Sequence, residues 1–556
     1  MRRMMFKLAI NIIAIVFAFA TFAACDCSGT SSPEGPNTIE ISYSLGGFGD
    51  AWINEAIEKF NSAYKSKGYS AVLGRSDAAF GGDTLEAELR SYQDNTYDLY
   101  IALAKNSSNL VDASFSTLKE RDKALLEDLT DVYNSKVINL DGSEGDQTVI
   151  ETRNENMLIY NRYLGDLEYA KNKYYSYQWT MAYAGVVVNT KVLSDFGYDH
   201  APRTTREMKT MCDNILSQHR RTDKNKEIYP ITWGGANTSG YFEYPLLTWL
   251  AQYLGIEGYN DFYALKPKTG TTFENGYDVY DDDGILFALS AMETFANERY
   301  AAEGSVATID HLMSNQTLAD GEAAFEITGG WMYTELINLG YSDEDLSSIE
   351  IIPVPVVSEL ADKIGLSGTS EQKDAALSNI IKGIDDGKTD EQIVSELSGV
   401  TSEMVARVRE ARGIYYDLGC GHQAYIPSYS DAKDVAKLFL RFIASKEFSD
   451  SVFAEKANSF TSNGTSASTA TNFMKSMTKV CRAAYSTPIA EADCLSKIRT
   501  KGGITFTFEP MPSYVELAKG MAVGLPEYRS ETVYNKVKDA MRSNWETILY
   551  QAKIYA

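Results

Sequence analysis

Hydrophobic and polar residues alternate along Ile39-Glu40-Ile41-Ser42-Tyr43-Ser44-Leu45, the two-residue period of a half-buried strand. Gly46-Gly47-Phe48-Gly49-Asp50 breaks the alternation. The period then becomes helical, with Ile53, Ala56, Ile57, Phe60 and Tyr64 on one face. Tyr69 to Leu73 predicts a second strand, Leu85 to Tyr92 a second helix and Asp98 to Leu103 a third strand. A βαβαβ opening of this kind implies a parallel sheet covered by helices. The glycine-rich loop lacks the Lys and Ser/Thr of a P-loop and the full dinucleotide fingerprint, so it predicts close backbone approach to a polar ligand other than a nucleotide.

Further on, Leu118 to Leu129 predicts a helix, and Asn134 to Glu155 a polar excursion with little pattern. Tyr174-Tyr175-Ser176-Tyr177-Gln178-Trp179 is dense in aromatics and leads into Ala184-Gly185-Val186-Val187-Val188, a buried strand. Helices are predicted over Pro202 to Ile215 and Ile285 to Asn297, with aromatic segments at Ile231-Thr232-Trp233-Gly234-Gly235 and Tyr241-Phe242-Glu243-Tyr244-Pro245 between them. Glu359 to Asp417 changes texture. It is charged, with helical spacing at Ile393, Leu397, Met404, Val405 and Val408, and predicts an inserted helical hairpin. Tyr425-Ile426-Pro427 returns to a strand, and the remainder is largely helical.

The run from Asp320 to Leu336 carries the strongest functional signal. Ala323 to Thr328 predicts a short buried strand that stops at Gly329-Gly330, and Trp331 follows at the start of a helix continued by Met332, Leu336 and Ile337. Glycine lets other groups approach the backbone closely, so this arrangement suits aiming an indole into a cleft. The alternative is an indole that plugs the core.

Composition narrows the reading. A chain of 556 residues is too long for one hydrophobic core, so two or more domains are expected. The formal net charge of −24 repels phosphates and disfavours nucleic acid as a partner. The 36 tyrosines supply rigid side chains that both stack and hydrogen-bond. Arg2, Arg3 and Lys7 precede an apolar stretch from Leu8 to Phe22, the pattern of a secretory signal. Phe22-Ala23-Ala24-Cys25 resembles a bacterial lipobox, with Phe22 where Leu is usual, which implies lipidation of Cys25. Ser28 to Asn37 reads as a flexible tether. Cys481 and Cys494 are either a disulfide or two buried thiols. No close Cys/His cluster is present, and His200, His219, His311 and His422 lack catalytic partners, so neither a metal, a cofactor nor a catalytic constellation is predicted.

Several motifs agree in order. They are the signal with its cysteine, the first strand-loop-helix, Val186-Val187-Val188-Asn189-Thr190-Lys191 with Pro202-Arg203-Thr204, and Gly321-Glu322-Ala323-Ala324 before Gly329-Gly330-Trp331. Ile352-Pro353-Val354-Pro355, Tyr425-Ile426-Pro427 and Ala436 to Ser445 complete them. Together they resemble the extracellular solute-binding proteins (family 1) of carbohydrate ABC transporters, the group that includes maltose-binding protein. The resemblance covers nearly all of the chain after Thr38.

It implies an α/β, two-lobed periplasmic-binding-protein-like fold with hinged lobes and an interlobe ligand cleft. The division expected is 1–24 signal peptide, 25–37 lipid-anchored linker, 38–175 with 422–460 the first lobe, 176–357 with 461–556 the second, and 358–421 an inserted helical segment. The partners implied are a carbohydrate ligand, an ABC permease and the membrane through the Cys25 anchor. The protein would act as a monomer on the outer face of the bacterial cytoplasmic membrane or in the periplasm. By resemblance, Trp331 and Tyr241 stack on sugar, while Phe48 and Asp50 lie where first-lobe contacts are usual. Lys105 stands at a strand end where the group often places an aromatic and an acid. Trp179, Trp233 and Glu243 complete the candidate ligand set. An aromatic ring covers the C–H face of a pyranose, and polar side chains satisfy its hydroxyls. Two rival readings are a secreted glycoside hydrolase, which needs two carboxylates across the scissile bond, and a surface lipoprotein that binds no small ligand.

Overall fold

The computed structural model describes residues 36–77, 82–91, 95–103, 110–111, 125–153, 158, 161–163, 168–457, 459, 471–490 and 510–555. The signal segment, Cys25, Lys105, Cys494 and most of the helix expected from Leu118 lie outside these residues.

The chain opens as its periodicity predicts. Strand β1 (Thr38–Ser44) buries Ile39, Ile41 and Tyr43 completely. Helix α1 (Ala51–Tyr64) lays Trp52, Ile53, Ala56, Phe60 and Tyr64 on the sheet. Strand β2 (Ser70–Asp77) pairs parallel with β1 on one side, and after helix α2 (Gly82–Arg90) strand β3 (Leu99–Leu103) pairs parallel on the other. The polar excursion is structured: β4 (Lys136–Ile138) and β5 (Glu144–Thr148) form an antiparallel hairpin. Its polar outward residues hid the two-residue period.

Strand β6 (Tyr177–Gln178) closes the edge of the first sheet. Four residues later the chain enters β7 (Tyr183–Asn189), in which all seven residues are buried. Burial on both faces explains the uninterrupted valines, because such a strand has no wet side. Strand β8 (Tyr229–Thr232), helix α3 (Glu243–Leu254), helix α4 (His311–Ala319), β9 (Ala323–Gly329), α5 (Met332–Asn338) and β10 (Ile349–Ile352) follow. β9 lies antiparallel to β7 and parallel to β8, and β10 runs antiparallel along the far end of β7.

The segment read as a helical hairpin contains three longer helices, α6 (Ser370–Asp385), α7 (Asp390–Glu396) and α8 (Ser402–Gly413). Thr369 and Thr389 begin the first two with capping boxes to Gln372 and Gln392, and Thr401 caps the third. The segment does not end as helix. It runs into β11 (Ile414–Asp417), which pairs with the start of β7, and then β12 (His422–Tyr425) joins the first sheet. Isolated apolar runs of four residues carry no periodicity, so β11 was hidden beside strong helical signals. Later elements include α9 (Asn472–Cys481), β13 (Thr487–Ala490) beside β11, α10 (Tyr514–Ala522) and the long α11 (Ser530–Tyr555).

Beside the β4–β5 hairpin, two larger sheets result, ordered β2-β1-β3-β12-β6 and β13-β11-β7-β9-β8 with β10 also on β7. Each forms the centre of one lobe. The chain crosses between them at 178–183 and at 417–422, and the crossings are tied together. Leu418 N donates to Ala182 O at 2.8 Å, and Asp417 Oδ1 accepts from Ala182 N at 2.8 Å and Gly419 N at 2.7 Å. No helix of the described residues is long and apolar enough to cross a membrane.

Candidate functional site: an aromatic cluster where the lobes meet

Trp331 occupies the turn between β9 and α5, where Gly330 N donates to Tyr183 O. Its indole folds back over Gly329. A β-carbon on Gly329 would stand 2.2 Å from indole Cζ3. Gly47 of the first lobe approaches from the other side, where a β-carbon would stand 2.6 Å from Trp331 Cβ. Next to it, Thr334 Oγ1 donates to Ala457 O at 2.9 Å. The turn that carries Trp331 is therefore a contact between the lobes, and Trp331 is only 7% exposed.

Two tyrosines meet the indole edge-on. Tyr241 lies 5.8 Å away at 77° and Tyr244 6.3 Å away at 87°, the geometry favoured by ring quadrupoles. Tyr244 also packs on Tyr416 of β11 at 5.0 Å, and Tyr416 donates its hydroxyl to Glu243 Oε1 at 2.5 Å. Tyr241, Tyr244, Tyr416, Glu243 and Tyr514 line a cavity of about 340 Å³ together with Ser513. Trp331 reaches this cavity through the two tyrosines that touch it; its own ring is not on the described wall.

Two largely buried acids, Glu326 and Glu335, lie close enough to Tyr241 to act on its phenol. Glu326, in the middle of β9, is 1% exposed and pairs across the ladder with Thr232. Burial raises its carboxyl well above the ordinary range, and Glu335 raises it further. Its Oε2 has no hydrogen-bond partner. Glu335 accepts from Asn315 Nδ2 at 2.8 Å, and His311 Nε2 stands 3.8 Å from its other oxygen. Burial pushes the Glu335 carboxyl up to about 7. Burial also raises the Tyr241 phenol, and Glu335 and Glu326 add to that rise.

Three other candidates belong to packed interiors. Trp179 stacks on Trp52 at 5.1 Å and 13°, and Phe48 meets Trp179, His422 and Phe453 edge-on or tilted. Both are 2% exposed, so the aromatic core of the first lobe holds them. Burial lowers the pKa of His422 in the same core to about 3, so its ring is neutral there. Trp233 is 1% exposed with its edge to Phe242 at 5.2 Å. Asp50 sits half-buried at the N-cap of α1 without a side-chain cap bond. The structure thus joins Trp331, Tyr241 and Glu243, and adds Tyr244, Tyr416, Tyr514, Glu326 and Glu335. Two of the additions left a trace in the sequence. Glu326 is an acid inside an otherwise apolar strand, and Glu335 stands one helical turn after Trp331. Tyr416 and Tyr514 left none, being brought in from distant segments.

Among the described residues no group of His, Cys, Asp and Glu has the arrangement of a metal site. Cys481 and Cys212 are free, buried thiols.

No family model and no curated protein matches this chain. Solved structures do. A bacterial solute receptor, AcbH, described as exclusively preferring β-D-galactopyranose, superposes with a TM-score of 0.53 at 12% identity, covering 92% of this chain and 100% of its own. A protein described in terms of xylan utilisation by Caldanaerobius polysaccharolyticus gives 0.54 at 12% identity over 91% and 100%. A probable secreted solute-binding lipoprotein from Streptomyces coelicolor gives 0.53 at 13% over 92% and 99%. This chain has the two-lobed fold of the extracellular solute-binding proteins. The aromatic cluster lies beside the crossing at Leu418, and Gly47 touches its Trp331.

Proposed function

We propose that this protein is a lipid-anchored extracellular solute-binding protein, attached through Cys25, that captures a sugar or oligosaccharide between its lobes and delivers it to an ABC permease. The carrying observation is the aromatic cluster at the interlobe contact. Trp331 is held edge-on by Tyr241 and Tyr244, which wall a cavity with Tyr416, Tyr514 and Glu243. About 340 Å³ lies within the range of small-ligand sites. Phenol faces cover the C–H side of a pyranose, while the Tyr hydroxyls and the Glu243 carboxylate meet its hydroxyls. Lobe closure would then be selected by a ligand that touches both sides. The carbohydrate receptors among the structures of like fold support the same reading.

Trp331, Tyr241 and Glu243 form the ligand set in this reading, with Tyr244, Tyr416 and Tyr514 added and Asp50 at the first-lobe rim. Phe48, Trp179 and Trp233 are left out because other rings already cover them. Calorimetry against mono- and oligosaccharides tests the function. Trp331→Ala is expected to weaken binding about tenfold or more, ~1.4 kcal/mol. Hydrolysis of a glycoside, lost on removing one carboxylate, would favour the hydrolase reading. Failure of every sugar and polyol to shift melting of the folded protein would favour a surface lipoprotein.

A further inference from the structure

Two loops leave the second sheet at the end that carries Trp331. β8 and β9 run parallel, so Trp233 to Asn237 and Gly329 to Trp331 follow the same carboxyl end, where open α/β sheets bind their ligands. The start of α4 packs against the first of these loops. Gly234 permits the approach, since a β-carbon there would stand 2.7 Å from His311 N. Glu335, one helical turn after Trp331 on α5, faces His311 and acts on the nearby Tyr241 phenol.

Asn237 fixes the imidazole. Its Oδ1 accepts from His311 N at 3.0 Å, which leaves its Nδ2 to donate to His311 Nδ1 at 2.8 Å. A ring nitrogen that accepts carries no hydrogen, so the neutral imidazole bears its hydrogen on Nε2. Nε2 stands 3.8 Å from Glu335 Oε1, too far for a direct hydrogen bond. Asn315 Nδ2 holds the other Glu335 oxygen at 2.8 Å. The two side chains are 31% and 15% exposed, so solvent reaches both. A donor and an acceptor at this spacing match one hydroxyl, which takes a hydrogen bond from the first and gives one to the second. No charge is required, because a protonated Glu335 donates to the same oxygen.

We propose that His311 and Glu335 read one hydroxyl of the bound sugar, with Asn237 the positioning residue that sets the imidazole tautomer. This deepens the sugar-binding reading and rests on it. Aromatic rings such as Tyr241 accept any pyranose face, whereas a site built to hydrogen-bond a hydroxyl rejects the analogue that lacks it. Specificity at this end of the ligand therefore resides in the His311–Glu335 pair.

The test is calorimetry of the detergent-solubilised full chain at pH 8, above the Glu335 value of about 7. The probes are glucose, galactose, xylose and their disaccharides, followed by every monodeoxy form of the tightest binder. One deoxy form is expected to bind about tenfold more weakly than its parent. His311→Ala and Glu335→Ala should each weaken the parent by a similar factor and leave that deoxy form unchanged. His311→Gln, which keeps an N–H, should recover part of the loss. Nitrogen-15 NMR of the free protein should place the His311 hydrogen on Nε2, and Asn237→Ala should shift that equilibrium. Losses spread evenly over all deoxy forms, unchanged affinity in the alanine variants, or hydrogen on Nδ1 would each overturn the inference and leave the sugar reading standing. Binding of no sugar overturns both. Where Glu335→Ala does not fold, His311→Ala, at a partly exposed position, decides.

Discussion

Gly47 and Trp331 touch so closely that the smallest possible side chain on the glycine would overlap the tryptophan, its β-carbon 2.6 Å from Trp331 Cβ and 3.0 Å from Cγ. Gly47 follows β1 of the first sheet and Trp331 follows β9 of the second, so this contact joins the two lobes. Gly47→Ala should therefore leave each lobe folded and hold the lobes slightly apart. Ligand affinity is expected to fall about tenfold, ~1.4 kcal/mol, with the melting temperature of the free protein little changed. Calorimetry decides it. Affinity equal to that of the wild type would show that the Gly47–Trp331 contact plays no part in the bound form.

Trp179 provides the opposite case. It stacks on Trp52 and meets Phe48 and His422 inside the first lobe. Trp179→Ala removes a large buried ring and should cost about 3–5 kcal/mol of stability. Denaturant unfolding measures that loss, and sugar affinity of the fraction that remains folded should be unchanged. Weaker binding without loss of stability would return Trp179 to the ligand set.

Glu335 predicts a pH dependence whose direction follows from its environment. Burial raises its carboxyl from the ordinary 4.5 to about 7, so the folded protein binds the proton more tightly than the unfolded chain in between. Its contribution to stability is complete below about 4.5 and is lost as pH rises through 7, by roughly 3 kcal/mol at most. Glu326, raised by burial and by Glu335, acts in the same direction. Glu335→Gln should flatten the decline between pH 5 and pH 8 in urea unfolding. Identical slopes for variant and wild type would refute the assignment.

Asp417 ties the two crossing segments together through Ala182 N and Gly419 N. Burial lifts its carboxyl to about 6 despite those bonds. Asp417→Ala leaves two buried N–H groups without an acceptor, at roughly 1–3 kcal/mol each. A loss of at least ~2 kcal/mol is expected in chemical denaturation, together with faster amide exchange at 178–182. Exchange unchanged there would mean that the crossings hold without this carboxylate.

How much of this was readable beforehand varies from element to element. β1, α1 and β3 follow directly from alternation and helical spacing, and β7 from its run of valines. The order of the motifs pointed to the two-lobed fold. β11 was masked by the helices before it, and the β4–β5 hairpin by its polar faces. Among the site residues, Trp331 stood out because glycines precede it. Phe48 and Trp179 carried the same kind of signal, yet Trp52 and His422 cover them.

The sequence by itself determined the local elements and the order in which they recur, because strand and helix periods are properties of neighbouring residues. It also marked the turn that presents Trp331 with a glycine pair, of which Gly329 leaves room for the indole to fold back. Tertiary structure alone decided what that indole faces. Tyr416 and Tyr514 are separated from Trp331 by long stretches of chain, and Gly47 belongs to the other lobe. Which aromatic ring is ligand wall and which is core depends on what covers its faces, and that is a property of packing between distant segments.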